Sequence, residues 1–257
     1  METGAAPFTA PAALRGPVIG DIGHWVDRTP VHDASRHGQA GQLRQLIESG
    51  VCVNLVTVDS ITPLHEACLQ GHIQCVKLLL AAGAQVDARN IDGSTPLCDA
   101  SAGGSLECMK VLLDHGAKVN PPLYTASPLH EACMSACARE HLECAKVLLS
   151  AGANVNAAKL HETALHHAAK VKNKDLIEML VEFGGNVYAR DNRGKRPSDY
   201  SWPNSPTSKC FEYYEKTPRT LSQLCRLRLR KALGQGAVEK VYKLDIPQRL
   251  IDYLAYK

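Results

Sequence analysis

The sequence predicts a chain dominated by α-helix that stacks as a solenoid of helix-turn-helix-hairpin units and ends in a small helical module of another kind. Three observations carry this expectation. A two-residue anchor recurs at Thr29-Pro30, Thr62-Pro63, Thr95-Pro96, Ser127-Pro128, Thr163-Ala164 and Arg196-Pro197, at spacings of 33, 33, 32, 36 and 33 residues. Inside each unit apolar residues fall at helical spacing, with glycine where a helix should stop. From Phe211 onward the period is gone.

Residues 1–17, rich in Ala and Pro, read as a disordered tail without the basic start and apolar core of a secretory signal. Residues 18–28 carry Ile22 and Trp25 and read as a cap over the first unit. The unit from Thr62 to Ser94 sets the pattern for the rest. Pro63 suits the first turn of a short helix whose apolar face is Leu64, Ala67 and Cys68. Gly71 ends it. A second helix follows with the stripe Ile73, Val76, Leu79 and Leu80, closed by Gly83, and Gln85 to Ser94 is expected to be extended around an Asp92-Gly93 turn. A period of 33 with T-P-L-H-x-A is the signature of the ankyrin repeat. Residues 29–201 thus read as five ankyrin repeats, with RPSDYS at Arg196 to Ser201 the start of a sixth that is not finished, and 202–210 as a linker.

The fourth unit, 127–162, is a hybrid. Its segment from His130 to Ser135 matches His65 to Gln70, and Ala136 to His141 then matches Ala67 to His72. Losing 29 residues from two tandem units of 33 leaves this four-residue excess, so the sequence reads as a shortened form of a parent with about one more repeat. The first helix of this unit is expected to lengthen by a turn, or to bulge, near Met134 to Arg139.

Composition narrows the function. The net charge of +3 is uneven: Lys209 to Lys257 carry 11 Lys and Arg against 5 Asp and Glu, leaving a net of −3 for the rest. Of ten cysteines, Cys75, Cys108 and Cys144 recur at one second-helix position and Cys68 and Cys133 at one first-helix position, as small buried hydrophobes do. Paired zinc-ligand spacing is absent, so no metal or other cofactor is expected, and the thiols imply a reducing compartment, cytoplasmic with the nucleus as a second location. No apolar run reaches membrane-spanning length. The histidines His65, His130 and His166 recur once per unit and are expected to bond between units rather than to hold metal. No nucleophile elbow, phosphate loop or paired-carboxylate constellation is present, so no catalytic residue is assigned.

Residues 211–257 form the second module. A helix is expected from Thr220 with the stripe Leu221, Leu224, Cys225, Leu229 and Leu233, with Arg226, Arg230 and Lys231 opposite. A short one follows from Val238 to Lys243, and a third from Gln248 through Tyr253. Thr220-Leu221 with Cys225 and Leu229 resembles the elongin-binding pattern of the SOCS box, and Leu244-Asp245-Ile246-Pro247 with Leu250 and Tyr253-Leu254 resembles its cullin-selecting segment, Asp245 standing where a proline is usual. Ankyrin repeats followed by this ending resemble the ankyrin repeat and SOCS box family. The resemblance implies a three-helix SOCS box and a non-catalytic substrate receptor of a ubiquitin ligase, with elongin B, elongin C, cullin-5 and its RING protein as partners. It assigns elongin binding to Leu221, Leu224, Cys225 and Leu229, and cullin binding to Leu244, Ile246, Pro247, Leu250 and Tyr253.

The array would hold a protein target through residues that vary at its hairpin tips: Val58, Asp59, Ile91, Asp92, Leu123, Tyr124, Leu160, His161, Asn192 and Arg193. Two other readings compete. One is an ankyrin scaffold whose tail is only a stabilising cap; the other is binding of nucleic acid through Arg226 to Lys231, a run that normally forms a solvated helix face.

Overall fold

A computed structural model describes residues 28–122, 127–135, 139–159, 161–234 and 237–256. The expected tail, Ile22 and Trp25 lie outside the described residues, as do Leu123, Tyr124 and Leu160. The array is two layers of helices. Inner helices α1 (Pro30–Arg36), α3 (Pro63–Leu69), α5 (Pro96–Ala102), α7 (Pro128–Met134) and α9 (Ala164–Val171) stack on one another, while outer helices α2 (Ala40–Glu48), α4 (Ile73–Ala81), α6 (Leu106–Asp114), α8 (Arg139–Ser150) and α10 (Lys174–Glu182) pack behind them. Buried Val31, Leu64, Leu97, Leu129 and Leu165, one per inner helix, form a continuous core with Leu43, Leu79, Leu112, Leu148 and Leu180 of the outer helices. The five buried cysteines expected in the core are there, but Cys52 and Cys225 are exposed. No helix of the described residues is long and apolar enough to cross a membrane.

Two side-chain ladders join the units. In the first, His65 Nδ1 accepts the Thr62 backbone N–H at 3.1 Å, so its Nε2 carries the proton and donates to Ser94 O at 3.2 Å. His32 to Ile61, His130 to Glu162 and His166 to Lys195 repeat this bond, each time to the carbonyl just before the next anchor. In the second, Asn54 donates to Gly83 O and accepts from Gln85 N; Asn120 and Asn156 do the same one unit further on. Both are inter-unit bonds, as a residue that recurs once per repeat requires.

The expected hairpins are mostly turns. Among the described residues only β1 (Ala158–Lys159) and β2 (Glu162–Thr163) pair as strands. Elsewhere a tip is a turn closed by a few local bonds, among them Thr57 N to Ile61 O, Asn90 N to Ser94 O and Asp191 N to Lys195 O, each with a tighter backbone bond inside it.

Three expectations are corrected. The extra turn of the hybrid unit is not on its first helix: α7 has the seven residues of α3 and α5, whereas α8 has twelve against nine for α4; the alternative of a bulge between Met134 and Arg139 falls on 136–138, outside the described residues. The inner helix is packed between α5 and α9, while the outer helix can grow at its N-terminal end. Register is recovered at His141, whose Nε2 bonds Ala102 O at 3.2 Å as His72 bonds Arg36 O. Gly104, at φ +69°, makes room: a Cβ there would sit 2.8 Å from the His141 ring. Second, the supposed linker is helical from Pro206, in α11 (Pro206–Lys216), with Ser205 as its N-cap. Third, the sixth unit is completed. A 3-10 turn, Pro197–Tyr200, packs on α9 and α11 packs on α10, burying Phe211 in the array's core.

Candidate functional site

The last three helices are α12 (Leu221–Leu233), α13 (Ala237–Tyr242) and α14 (Gln248–Ala255). Thr220 caps α12 in a capping box: its hydroxyl accepts from Gln223 N, and Gln223 Oε1 accepts from Thr220 N at 2.9 Å. Their own core is small, Val241, Ile251 and Leu254 with Leu229, Leu233, Ile246 and Tyr253 against it.

The stripe divides. Leu221 is 77% exposed, Leu224 is 48% exposed and Cys225 is also exposed, whereas Leu229 and Leu233 pack inward. A row of residues four apart advances about 400° per step, so it winds about 40° around the helix each time. Leu221 and Cys225 therefore look outward, and eight residues on the same row has turned into the module. The expected elongin set is thus three exposed residues plus Leu229, a half-buried one already engaged.

The basic side is corrected as well. Arg226 is 9% exposed, its guanidinium 3.8 Å from the Tyr256 ring centre and 4.6 Å from that of Tyr253. Arg230 lies 5.0 Å from both the Phe183 and Tyr256 ring centres. Of the four basic residues from Arg226 to Lys231 only Arg228 and Lys231 are exposed, so half of the charge that a nucleic-acid reading would use is engaged within the chain. Sequence reasoning missed this junction: the aromatic partners lie 26 or more positions away, and no local pattern marks them.

The junction fixes the module on the array. Arg219 Nη2 donates to Gly185 O at 2.9 Å, at the end of α10, and Arg230 Nη2 donates to Leu149 O at 3.1 Å, at the end of α8. Tyr256, stacked on Phe183 with centroids 4.0 Å apart, donates its hydroxyl to Glu182 O at 2.8 Å. Leu149 O and Glu182 O lie in the last turns of α8 and α10, and Arg219 also reaches Val181 O of the last turn of α10 at 3.4 Å, where the dipole favours cations.

In the expected cullin segment Pro247 and Leu250 are exposed, Leu244 and Ile246 are half-buried, and the Tyr253 ring faces Arg226. Tyr253 is therefore committed to the junction side. On the array, Val58 (73% exposed), Ile91 (70% exposed), Asp59, Asp92, His161, Asn192 and Arg193 are all exposed at the tips, and Ile91 N donates to Asp59 O at 2.9 Å between adjacent tips.

Comparison with known proteins agrees with this layout. The SOCS box family model matches residues 217–255, and the ankyrin repeats (3 copies) model matches 18–90, 83–159 and 134–202. The chain belongs to the ankyrin repeat and SOCS box family. It is 68% identical to Ankyrin repeat and SOCS box protein 13 of Homo sapiens over 275 aligned positions, covering 96% of this chain and 99% of that protein. It is 43% identical to Ankyrin repeat and SOCS box protein 11 of Homo sapiens, covering 91% of this chain and 81% of the relative. The crystal structure of the human ASB11 ankyrin repeat domain superposes with a TM-score of 0.51 at 35% identity, over 75% of this chain and all of that one. Of the 275 positions aligned with the first relative, this chain fills about 247 (96% of 257 residues), so about 28 have no counterpart here, close to one repeat. The family's role is that of a substrate-recognition adaptor of cullin-RING ligases, without catalytic residues of its own.

Proposed function

We propose that this chain is the substrate-recognition subunit of a cullin-5-type ligase, binding elongin C, and with it elongin B, through the outward face of α12. The observation that supports the reading is the grouping of Leu221, Leu224 and Cys225 on the exposed side of a helix whose Arg226, Leu229 and Leu233 pack inward. Burying an exposed leucine is worth about 1.5–3 kcal/mol, so this face gains by being covered. Pro247 and Leu250, exposed on a separate segment, would meet the cullin and its RING protein, while the tips hold a protein target. The reading implies a cytoplasmic or nuclear location, which tagged-protein imaging tests.

The test is reconstitution of the full chain with purified elongins B and C, then with cullin-5. A single complex by size exclusion is expected, with a Pro247→Ala, Leu250→Ala variant keeping elongin and losing cullin. One observation favours a second reading, a scaffold with a terminal cap: Arg219, Arg230 and Tyr256 do close the ends of α8 and α10. Failure to form the elongin complex would leave that reading in place.

A further inference from the structure

The position after the recurring histidine of the inner helices carries a second row: Asp33, Glu66, Asp99, Glu131, then His167. Cations of this chain stand at its second member, Glu66, and next to its last, His167. Arg28 Nε donates to Glu66 Oε1 at 3.0 Å, and Lys170 Nζ donates to Glu162 Oε1 at 2.6 Å beside His167. In the middle, among the described residues, neither Asp99 nor Glu131 has a Lys or Arg nitrogen within 4 Å; Asp99 accepts only the Ser94 hydroxyl, at 3.0 Å. Burial, and then the neighbouring Glu131 and Glu66, raise the Asp99 carboxyl to about 7, and burial raises Glu131 as well. Exposed apolar groups border the same stretch: Leu69 and Met134, the last residues of α3 and α7, and the tips Val58 and Ile91. Further along, the polarity reverses, with Lys170 and Lys195 over Tyr200 and Lys172 over the exposed Trp202.

We propose that the target segment held by the array is a basic, aliphatic stretch that crosses α3, α5 and α7, its cationic side chains meeting Asp99 and Glu131 and its aliphatic ones meeting Leu69, Met134, Val58 and Ile91. This rests on the reading of the array as the target-binding surface. Charge complementarity selects the occupant: among the described residues Asp99 and Glu131, neighbours in the row, have no Lys or Arg in ion-pair contact, Lys159 acting on Glu131 only from a distance, and Arg28 on Glu66 shows how the row takes a guanidinium. An acidic segment would add to a repulsion that already raises Asp99. Stacked helices lie about 8–10 Å apart and an extended chain advances about 3.3 Å per residue, so cations about three residues apart match neighbouring units.

The groups facing Asp99 are Glu66 with its Arg28, Glu131 with Lys159 nearby, Ser94, and the Cys68 and Cys98 thiols. A bound cation would stabilise the ionised carboxylate, so at pH 6.5 binding should release protons.

The test uses the folded full chain and three fluorescein-labelled 15-residue peptides: leucines alternating with arginines three apart, the same with glutamate for arginine, and the same with serine for leucine. The arginine-leucine peptide should bind at least tenfold more tightly than either other, and Asp99→Asn with Glu131→Gln should weaken it at least tenfold. Glu107→Gln, on the exposed outer face of α6, should leave it unchanged. Calorimetry in two buffers should show proton release. Equal affinity for arginine and glutamate peptides, no binding at about 100 μM, or an equal loss in Glu107→Gln overturns the proposal. The same samples are assayed for elongin B/C capture. Capture without charge preference overturns this inference and spares the adaptor reading; charge-selective binding without capture does the reverse.

Discussion

A buried histidine in this array is neutral because its ring nitrogens have opposite jobs. Nδ1 accepts from the N-cap and Nε2 donates to the next unit, so protonation would remove the acceptor. Burial lowers His65, His130 and His166 below the ordinary value. Below about pH 6.5 the unfolded chain takes up protons that the fold refuses, so their contribution is complete above that pH and is lost as pH falls through the lowered folded values. Asp99 has the opposite sign. Its folded value of about 7 exceeds the unfolded 3.8, so the fold binds the extra proton and stability is lost as pH rises between them. Urea melts should therefore show Asp99→Asn more stable than the wild type at pH 8, with the difference shrinking toward pH 4. In that variant the midpoint should fall as pH drops from 7 to 5; an invariant midpoint would refute the histidine account. The recurrence of these histidines was legible in the sequence because a repeat reveals its own contacts. Arg226 was not, since a charged residue in a basic run looks solvated until the rings across from it are known.

Element boundaries were legible wherever proline or glycine punctuates the chain. Pro63, Pro96 and Pro128 each open an inner helix, and Thr220 caps α12. Two elements were misread for physical reasons. Pro and Ser before α11 form its N-cap and first turn, a pattern that looks like a linker when the apolar face behind it is only Cys210 and Phe211. In the hybrid unit one apolar face runs through both candidate registers, and packing on both sides of α7, invisible in the sequence, directs the extra turn to α8. That first turn of α8 has no equivalent in the other units. Amide exchange at residues 139–141 should be faster than at 73–75 of α4, and equal protection would contradict this. The winding of the α12 stripe gives a second check. Leu229→Ala should destabilise the module by about 2 kcal/mol, whereas Leu221→Ala, on the exposed face, should change its stability by less than about 0.5 kcal/mol in the free chain. Equal effects in denaturant melts would show that the two leucines share one environment.

For the whole molecule the repeat period sets the architecture, and the junction sets how the two modules face each other. Arg219 and Arg230 cap α10 and α8, while the Phe183 and Tyr256 rings stack beneath Arg230. A charged hydrogen bond is worth about 1.5–3 kcal/mol and a cation-π contact about 0.5–2. Arg219→Ala with Arg230→Ala should therefore free the SOCS box to swing: small-angle scattering should give a larger maximum dimension, with both modules still helical. Identical scattering would mean that the arginines are incidental. None of this geometry was legible in the sequence, because it joins residues as many as 81 positions apart. The assignment of the two modules was legible, since the repeat period and the spacing of Leu221, Cys225 and Leu229 are local.

The account's central claim is that the outward face of α12 is a docking surface for elongin C and carries no weight in the fold. The most direct measurement is elongin B/C capture by the Leu221→Ala, Cys225→Ala double variant, with circular dichroism and urea melts on the same sample. A loss of about 3 kcal/mol weakens an equilibrium by more than a hundredfold. Capture should be abolished while the helical signal and melting midpoint match the wild type. Capture of elongin B and C at wild-type levels by a folded double variant would contradict the claim.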